Sequence, residues 1–161
     1  MKNKITYTPI GTIHSPFTKP EGMPIQPSAG QGIKGYILVH EEFVEGLEDL
    51  SGFSHIYLLF HLHQSDSYRL KVTPFLDDKL RGVFSTRAPK RPNPIGLSLV
   101  KLMRIKGNRL DIENMDMIDG TPLLDIKPYV PEMEDASQIR LGWLSKHVQE
   151  INSKRSDQRF K

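Results

Sequence analysis

Arg87, Lys90 and Arg91 stand within the stretch Gly82-Val83-Phe84-Ser85-Thr86-Arg87-Ala88-Pro89-Lys90-Arg91-Pro92-Asn93-Pro94-Ile95-Gly96, where three prolines and two glycines set the backbone. Proline locks φ and cannot donate to a strand ladder. Glycine permits close approaches that a Cβ would forbid. A loop this stiff loses little entropy when its cations grip an anion. A plain rigid surface connection is the competing reading. The loop joins two apolar runs, Val83-Phe84 and Ile95 to Leu102, which is where a scaffold presents a site.

A second loop carries acids. Asp119-Gly120-Thr121-Pro122 is a turn sequence, with Asp125 just beyond it and Lys127-Pro128-Tyr129 following. Asp side chains stabilise such turns locally, so the turn alone explains the pattern. A carboxylate held in a rigid turn also suits ribose hydroxyls or an ammonium group. His61-x-His63 suggests a metal pair, but His55 would lie about 20 Å from His61 along a strand, and no acid follows His63 before Asp66. No metal is expected.

Other chemistries are excluded more simply. The chain has no cysteine, so no disulfide, thiolate zinc site or cysteine nucleophile exists. No Gly-x-Gly-x-x-Gly follows a strand, no Walker A sequence occurs, and Ser51, Ser85 and Ser98 lack a Gly-x-Ser-x-Gly context.

These loops need a frame. With 161 residues and a net charge of +3, one domain with a real core is expected. The N-terminus has no apolar leader and no run is long enough to span a membrane, so a cytoplasmic protein is expected. Strand signals fall at Ile10 to Ile13, Gly35 to Val39, His55 to His63 (a central strand), Leu70 to Thr73, Gly82 to Ser85, Leu97 to Arg104, Arg109 to Ile112 and Leu124 to Ile126. Short strands divided by frequent turns predict a mainly β protein, a single closed barrel. A short helix is expected over Glu41 to Leu47. A C-terminal helix is expected over about Ser137 to Asn152, with Leu141, Leu144, Val148 and Ile151 at helical spacing. The polar tail from Ser153 to Lys161 is expected to fray. Residues 1–135 then form the barrel domain, and 136–161 the helix and tail. Ser15 to Gly32, with four prolines and three glycines, reads as one long loop.

Pro9-Ile10-Gly11-Thr12-Ile13-His14-Ser15-Pro16-Phe17, Asp49-Leu50-Ser51-Gly52-Phe53-Ser54-His55-Ile56, the stretch Gly82 to Gly96, and Asp119 to Tyr129 together resemble the TsaA-like (VirR-like) family. Its characterised members are tRNA N6-threonylcarbamoyladenosine N6-methyltransferases. The resemblance covers about Tyr7 to Pro131. It implies a closed β-barrel, S-adenosylmethionine as methyl donor, a homodimer, and tRNA as substrate. Matched position by position, it implies a cofactor pocket built from Gln26, Pro27, His63, Gln64, Arg87, Leu97, Asp119, Gly120, Thr121 and Pro122. Two departures stand out. Pro24-Ile25-Gln26 replaces the family's usual Pro-Arg-Gln, removing one cation. Many bacterial relatives also continue into a further C-terminal domain, whereas this chain stops soon after its expected last helix.

The residues suit that chemistry. Arg87 offers a bidentate fork for a carboxylate. The acceptor nitrogen of a carbamoylated adenine is amide-like and must shed a proton, so a general base is needed. Asp119, Asp125 and His63 are the candidates. Lys90, Arg91, Lys101 and Arg104 are candidates for tRNA phosphates, within basic clusters that an ordinary solvated surface also explains. Phe17, Tyr68 and Tyr129 are available for stacking on a base. The leading reading is a tRNA methyltransferase. The alternatives are a donor-binding accessory module without methyl transfer and a small-molecule methyltransferase.

Overall fold

In a computed structural model, which describes residues 4–130 and 140–160, six strands close into an antiparallel barrel. They are β1 (Gly11–His14), β2 (Lys34–Val39), β3 (His55–His61), β6 (Ile95–Lys106), β7 (Arg109–Glu113) and β8 (Thr121–Pro128). The order around the barrel is β1-β2-β7-β6-β3-β8. The short strands β4 (Lys71–Val72) and β5 (Arg81–Gly82) pair outside it.

Side-chain alternation explains the closure. Along β3, Ile56, Leu58 and Phe60 point inward and are buried, while Tyr57 and Leu59 are half-buried between them. Ile13, Ile37, Val39, Val100, Leu102, Leu110, Ile112 and Leu123 complete the filling from the other strands, with Met115 and Met117 from the β7–β8 loop. β3 is central as expected, pairing with β6 from His55↔Lys101 to His61↔Ile95 and with β8 on its other side. One glycine is required where β3 meets β6. Gly96 faces Phe60, and a Cβ there would collide with the Phe60 ring. The expected turn after Lys106 is also present, with Gly107 at φ 58 between β6 and β7.

Three expectations need correction. Gly82 to Ser85 is not one strand: only Arg81–Gly82 pairs with Lys71–Val72, and Val83–Ser85 is a 3-10 turn. Hydroxyls take the chain out of the ladder there. Ser85 Oγ donates to Gly82 O at 2.8 Å and Thr86 Oγ1 to Val83 O at 2.8 Å. The C-terminal helix is not α-helical over its described part. Gly142–Lys146 and Val148–Glu150 are 3-10 turns closed by i→i+3 bonds, and Gly142 sits at φ 56. Positions 137–139 lie outside the described residues. Glu41–Leu47 is helical as expected, also in 3-10 form. The tail over its described part, residues 153–160, is tied down rather than frayed: Ser156 bonds to Pro20 and Met23, and Arg159 to Pro74. Among the described residues no helix is long and apolar enough to cross a membrane.

Candidate functional site

β3 ends where β6 and β8 begin, and a cavity of about 520 Å³ opens at that end of the barrel. Phe60, Leu62, Leu97 and Met117 give it apolar lining. Thr86, Arg87, Pro89 and Arg91 of the stiff loop form one side; Met23, Pro24 and Ile25 of the long N-terminal loop form another. The size and the mix of apolar walls with few polar groups suit a small organic ligand.

Asp116 is the notable group inside. It lies in the β7–β8 loop between Met115 and Met117, both buried in the core. The anchored methionines turn the aspartate toward the cavity. Ser98 donates its hydroxyl to Asp116 Oδ1 at 2.7 Å. Some solvent reaches Asp116 through the cavity, but protein crowds it otherwise. That desolvation pushes its carboxyl up to about 6, against the opposing pull of the Ser98 hydroxyl and the Arg87 guanidinium. A carboxyl in this range switches charge near neutrality, as a general base must.

His63 also lines the cavity, just past the end of β3. Burial, with a smaller contribution from His61, holds its imidazolium below the ordinary histidine range. Thr121 Oγ1 donates to Ile118 O at 2.6 Å and lies 3.4 Å from His63 Nδ1. The Thr121 proton is committed to Ile118, and a backbone hydrogen bond to His61 also engages the His63 ring.

The structure brings together His63, Gln64, Arg87, Leu97 and Thr121 on the cavity wall. Arg87 is held there by a 2.6 Å bond from Nη2 to Leu97 O. Gln26, Asp119, Gly120 and Pro122 adjoin lining residues in sequence and Pro27 lies two residues beyond Ile25, but none of the five lines the cavity. Asp119 instead accepts from Ser15 N at 3.1 Å and pairs with His14 Nδ1 at 3.1 Å, pinning the turn to the start of the N-terminal loop. Gly120, at φ 77, makes that turn possible. Asp125 lies farther along β8, bonded to Ile126 N and paired with Lys127 at 2.8 Å.

Among the expected phosphate-binding cations, Arg91 lines the cavity and ties the loop together. Its Nη1 reaches the carbonyls of Val83, Thr86 and Ala88. Lys90 neighbours it on the same loop. Lys101 and Arg104 lie along β6 away from the cavity, paired with Glu113 at 3.8 Å and Asp111 at 2.9 Å. Of the stacking candidates, Phe17 packs on the core, Tyr129 meets Tyr57 edge-on, and Tyr68 is exposed. Asp116 and Ser98 were not candidates from sequence. The available signal was an acid set between two methionines, which only burial turns into chemistry.

A closed antiparallel barrel whose one mouth holds a ligand-sized cavity with an ionisable floor defines a small-ligand-binding β-barrel domain. The chain belongs to the tRNA-methyltransferase O N-terminal domain family, whose model matches residues 12–135. It is 52% identical over 156 residues to a probable S-adenosyl-L-methionine-binding protein of Pyrococcus abyssi, covering 97% of this chain and 85% of that one. It is 38% identical over 138 residues to the Homo sapiens tRNA (adenine(37)-N6)-methyltransferase, covering 81% of this chain and 31% of the human protein. A crystal structure of TrmO superposes with a TM-score of 0.73 at 41% identity, covering 87% of this chain and 64% of that one. The chain thus spans a little under two thirds of that TrmO chain and about a third of the human protein.

Proposed function

We propose that this protein is an S-adenosylmethionine-dependent tRNA methyltransferase that methylates N6 of threonylcarbamoyladenosine beside the anticodon, and that it works as a cytoplasmic homodimer. One observation carries the reading. In a chain of this family, one ligand-sized cavity is lined by a guanidinium, an imidazole held below the ordinary histidine range and a carboxyl poised near 6.

The cavity fits the donor's chemistry. Arg87 is placed to pair with a carboxylate, and Phe60, Leu62 and Met117 give the apolar contact an adenosyl group needs. Ile25 on the opposite wall adds no cation beside a sulfonium. S-adenosylmethionine, when bound, supplies an electrophilic methyl group. The chain's own part is to hold donor and acceptor in line and to take a proton from N6, so most of the rate comes from positioning. Asp116 is the proposed base, with His63 the other group in the cavity able to take the proton. Asp119 serves the turn that shapes the site, and Asp125 has no proposed part in proton transfer. Lys90 is proposed to contact tRNA near the cavity, and Lys101 and Arg104 farther along β6. Gln26, Pro27, Gly120 and Pro122 are proposed to support the donor through the backbone of their loops. The dimer is suggested by exposed Leu70, Leu80, Phe84 and Met103 on the outside.

The archaeal relative's name favours a second reading, donor binding without methyl transfer. Incubation of purified protein with S-adenosylmethionine and tRNA, with or without the threonylcarbamoyl group, decides. Formation of S-adenosylhomocysteine on the premodified tRNA supports the enzyme. Donor binding with no turnover on any tRNA supports the accessory module.

A further inference from the structure

One wall of the cavity comes from beyond the family domain. The family model ends at residue 135, yet Ser156, Asp157 and Phe160 line the cavity. This segment lies against the long N-terminal loop. Ser156 N donates to Met23 O at 2.9 Å, Gly22 N donates to Ser156 O at 3.0 Å, and Pro24 bridges to Arg155. The Ser156 hydroxyl donates to Pro20 O and accepts from Met23 N.

The segment is fixed again on the far side. Arg159 Nη1 donates to Pro74 O at 2.6 Å, and its guanidinium lies 5.1 Å from the Phe75 ring centre. The same guanidinium holds both oxygens of Asp157, at 2.7 Å from Nη2 to Oδ2 and 2.9 Å from Nε to Oδ1. Phe160 meets Phe75 edge-on at 5.0 Å and packs on the small cluster of Val72, Val83 and Ala88. Upstream, Trp143 donates its indole N–H to Ser85 O at 2.8 Å, on the loop that carries Arg87. The segment therefore crosses from the N-terminal loop to the Phe75 loop. It joins no barrel strand, and Phe160 is the one side chain of Arg155–Phe160 that enters an apolar cluster. A segment held by a few polar bonds and one aromatic ring opens at far lower cost than the barrel.

We propose that Arg155–Phe160 is a strap that closes the cavity over its ligand in cis. Ser156 and Phe160 are its ligand-facing residues, and Arg159 is its latch. The ligand class is an adenosyl thioether or sulfonium, so the assignment rests on the donor reading above. With the strap latched, ligand escape requires breaking the Arg159 bonds and withdrawing Phe160. The strap thus controls residence time more than encounter.

The test uses the full chain and S-adenosylhomocysteine as probe. Release of bound radiolabelled S-adenosylhomocysteine is followed in a chase with excess unlabelled probe, a readout that depends on no reporter side chain. Arg159→Ala and Phe160→Ala should each release the probe about tenfold faster, with a smaller change in association rate. In the wild type, amide hydrogen exchange over 155–160 should slow when the probe binds. Arg159→Ala removes only a partly exposed side chain, so it stands as the test if Phe160→Ala fails to fold. Wild-type release rates in Arg159→Ala, or no added protection of 155–160, overturns the strap while leaving the donor reading intact. Failure of the wild-type chain to bind the probe at all overturns both.

Discussion

Ser98 Oγ donates to Asp116 Oδ1 across 2.7 Å at the floor of the cavity, joining the start of β6 to the β7–β8 loop. Ser98 is itself 1% exposed, so its hydroxyl has no water to turn to. The bond fixes the direction of the carboxyl while burial sets its acidity. The pair gives the site a group that can be charged or neutral within the physiological range.

Stability should record that group. The native carboxyl holds its proton up to about 6, whereas an unfolded one releases it near the ordinary aspartate value of 3.8. Between those values the native state binds more protons than the unfolded state, so this residue makes stability fall as pH rises. Its cost is absent below the unfolded value and complete above about 6. Moving from 3.8 to about 6 corresponds to at most about 3 kcal/mol. Asp77, Asp111 and Asp157 are held below the usual range and act in the opposite direction at lower pH. They are common to wild type and Asp116→Asn, so the difference between the two denaturation curves isolates Asp116. That difference should change steadily from pH 4 to 6 and be flat above. A flat difference throughout would show an unperturbed carboxyl.

The pH dependence of turnover separates the two bases. With Asp116 as base, single-turnover methyl transfer should rise with pH through an apparent value near 6, following its deprotonation. His63→Gln should keep that limb. Asp116→Asn should lose it and lose rate by about 10²-fold or more, the lower range for general-base removal. If His63→Gln abolishes the limb and Asp116→Asn does not, the imidazole is the base.

If Arg87 holds the donor as proposed, it couples donor binding to that acidity. Arg87→Ala should weaken S-adenosylmethionine binding by about 1.5–3 kcal/mol, the range for hydrogen bonds to charged groups. Arg87→Lys should recover only part, because the fork is lost. The guanidinium also pulls the Asp116 carboxyl down, so its removal should move the acidic limb of turnover to higher pH. Calorimetry and the pH profile of the same variant check both effects. Unchanged affinity with a folded protein removes Arg87 from the donor site.

The barrel was legible because alternation is a local signal: Ile56, Leu58 and Phe60 on β3 announce an inward face without any knowledge of partners. The stiff loop was legible for a similar reason, since proline and glycine act on their own backbone. The C-terminal segment was not. Its leucine and valine spacing suggests a helix, but Gly142 and the Trp143–Ser85 bond favour short 3-10 turns docked on a distant loop. Asp119 drew attention as an acid in a rigid turn, and its partner His14 lies 105 residues away in sequence. Asp116 is not legible in the sequence, because its chemistry comes from the cavity around it, which no local pattern encodes.

Assembly can be tested without substrate. Light scattering at micromolar concentration should give about twice the 18.4 kDa chain mass. Replacing Phe84, which is 74% exposed, with Asp should shift the population toward monomer if the apolar outer face forms the contact. A wild-type monomer that turns over sinks the proposal that the dimer is the working form.

The substrate assignment makes the sharpest demand. Methyl transfer to the carbamoylated N6 requires tRNA that already carries the threonylcarbamoyl group, so unmodified tRNA should give no product. Phosphate contacts also predict that tRNA affinity falls steeply as salt rises from dilute to physiological. Lys90 is the cation to change on the stiff loop, because Arg91 is committed to the carbonyls of Val83, Thr86 and Ala88 and its loss would disturb the site itself. Lys90→Gln should raise the tRNA KM and flatten the salt dependence by about one phosphate contact, leaving donor affinity unchanged. Arg104→Gln, far along β6 and paired with Asp111, should have a smaller effect. Kinetics at two salt concentrations on both tRNA preparations measure all of this at once. Equal methylation of unmodified tRNA would refute the threonylcarbamoyl substrate, and an unaltered KM in Lys90→Gln would take the stiff loop out of the tRNA interface.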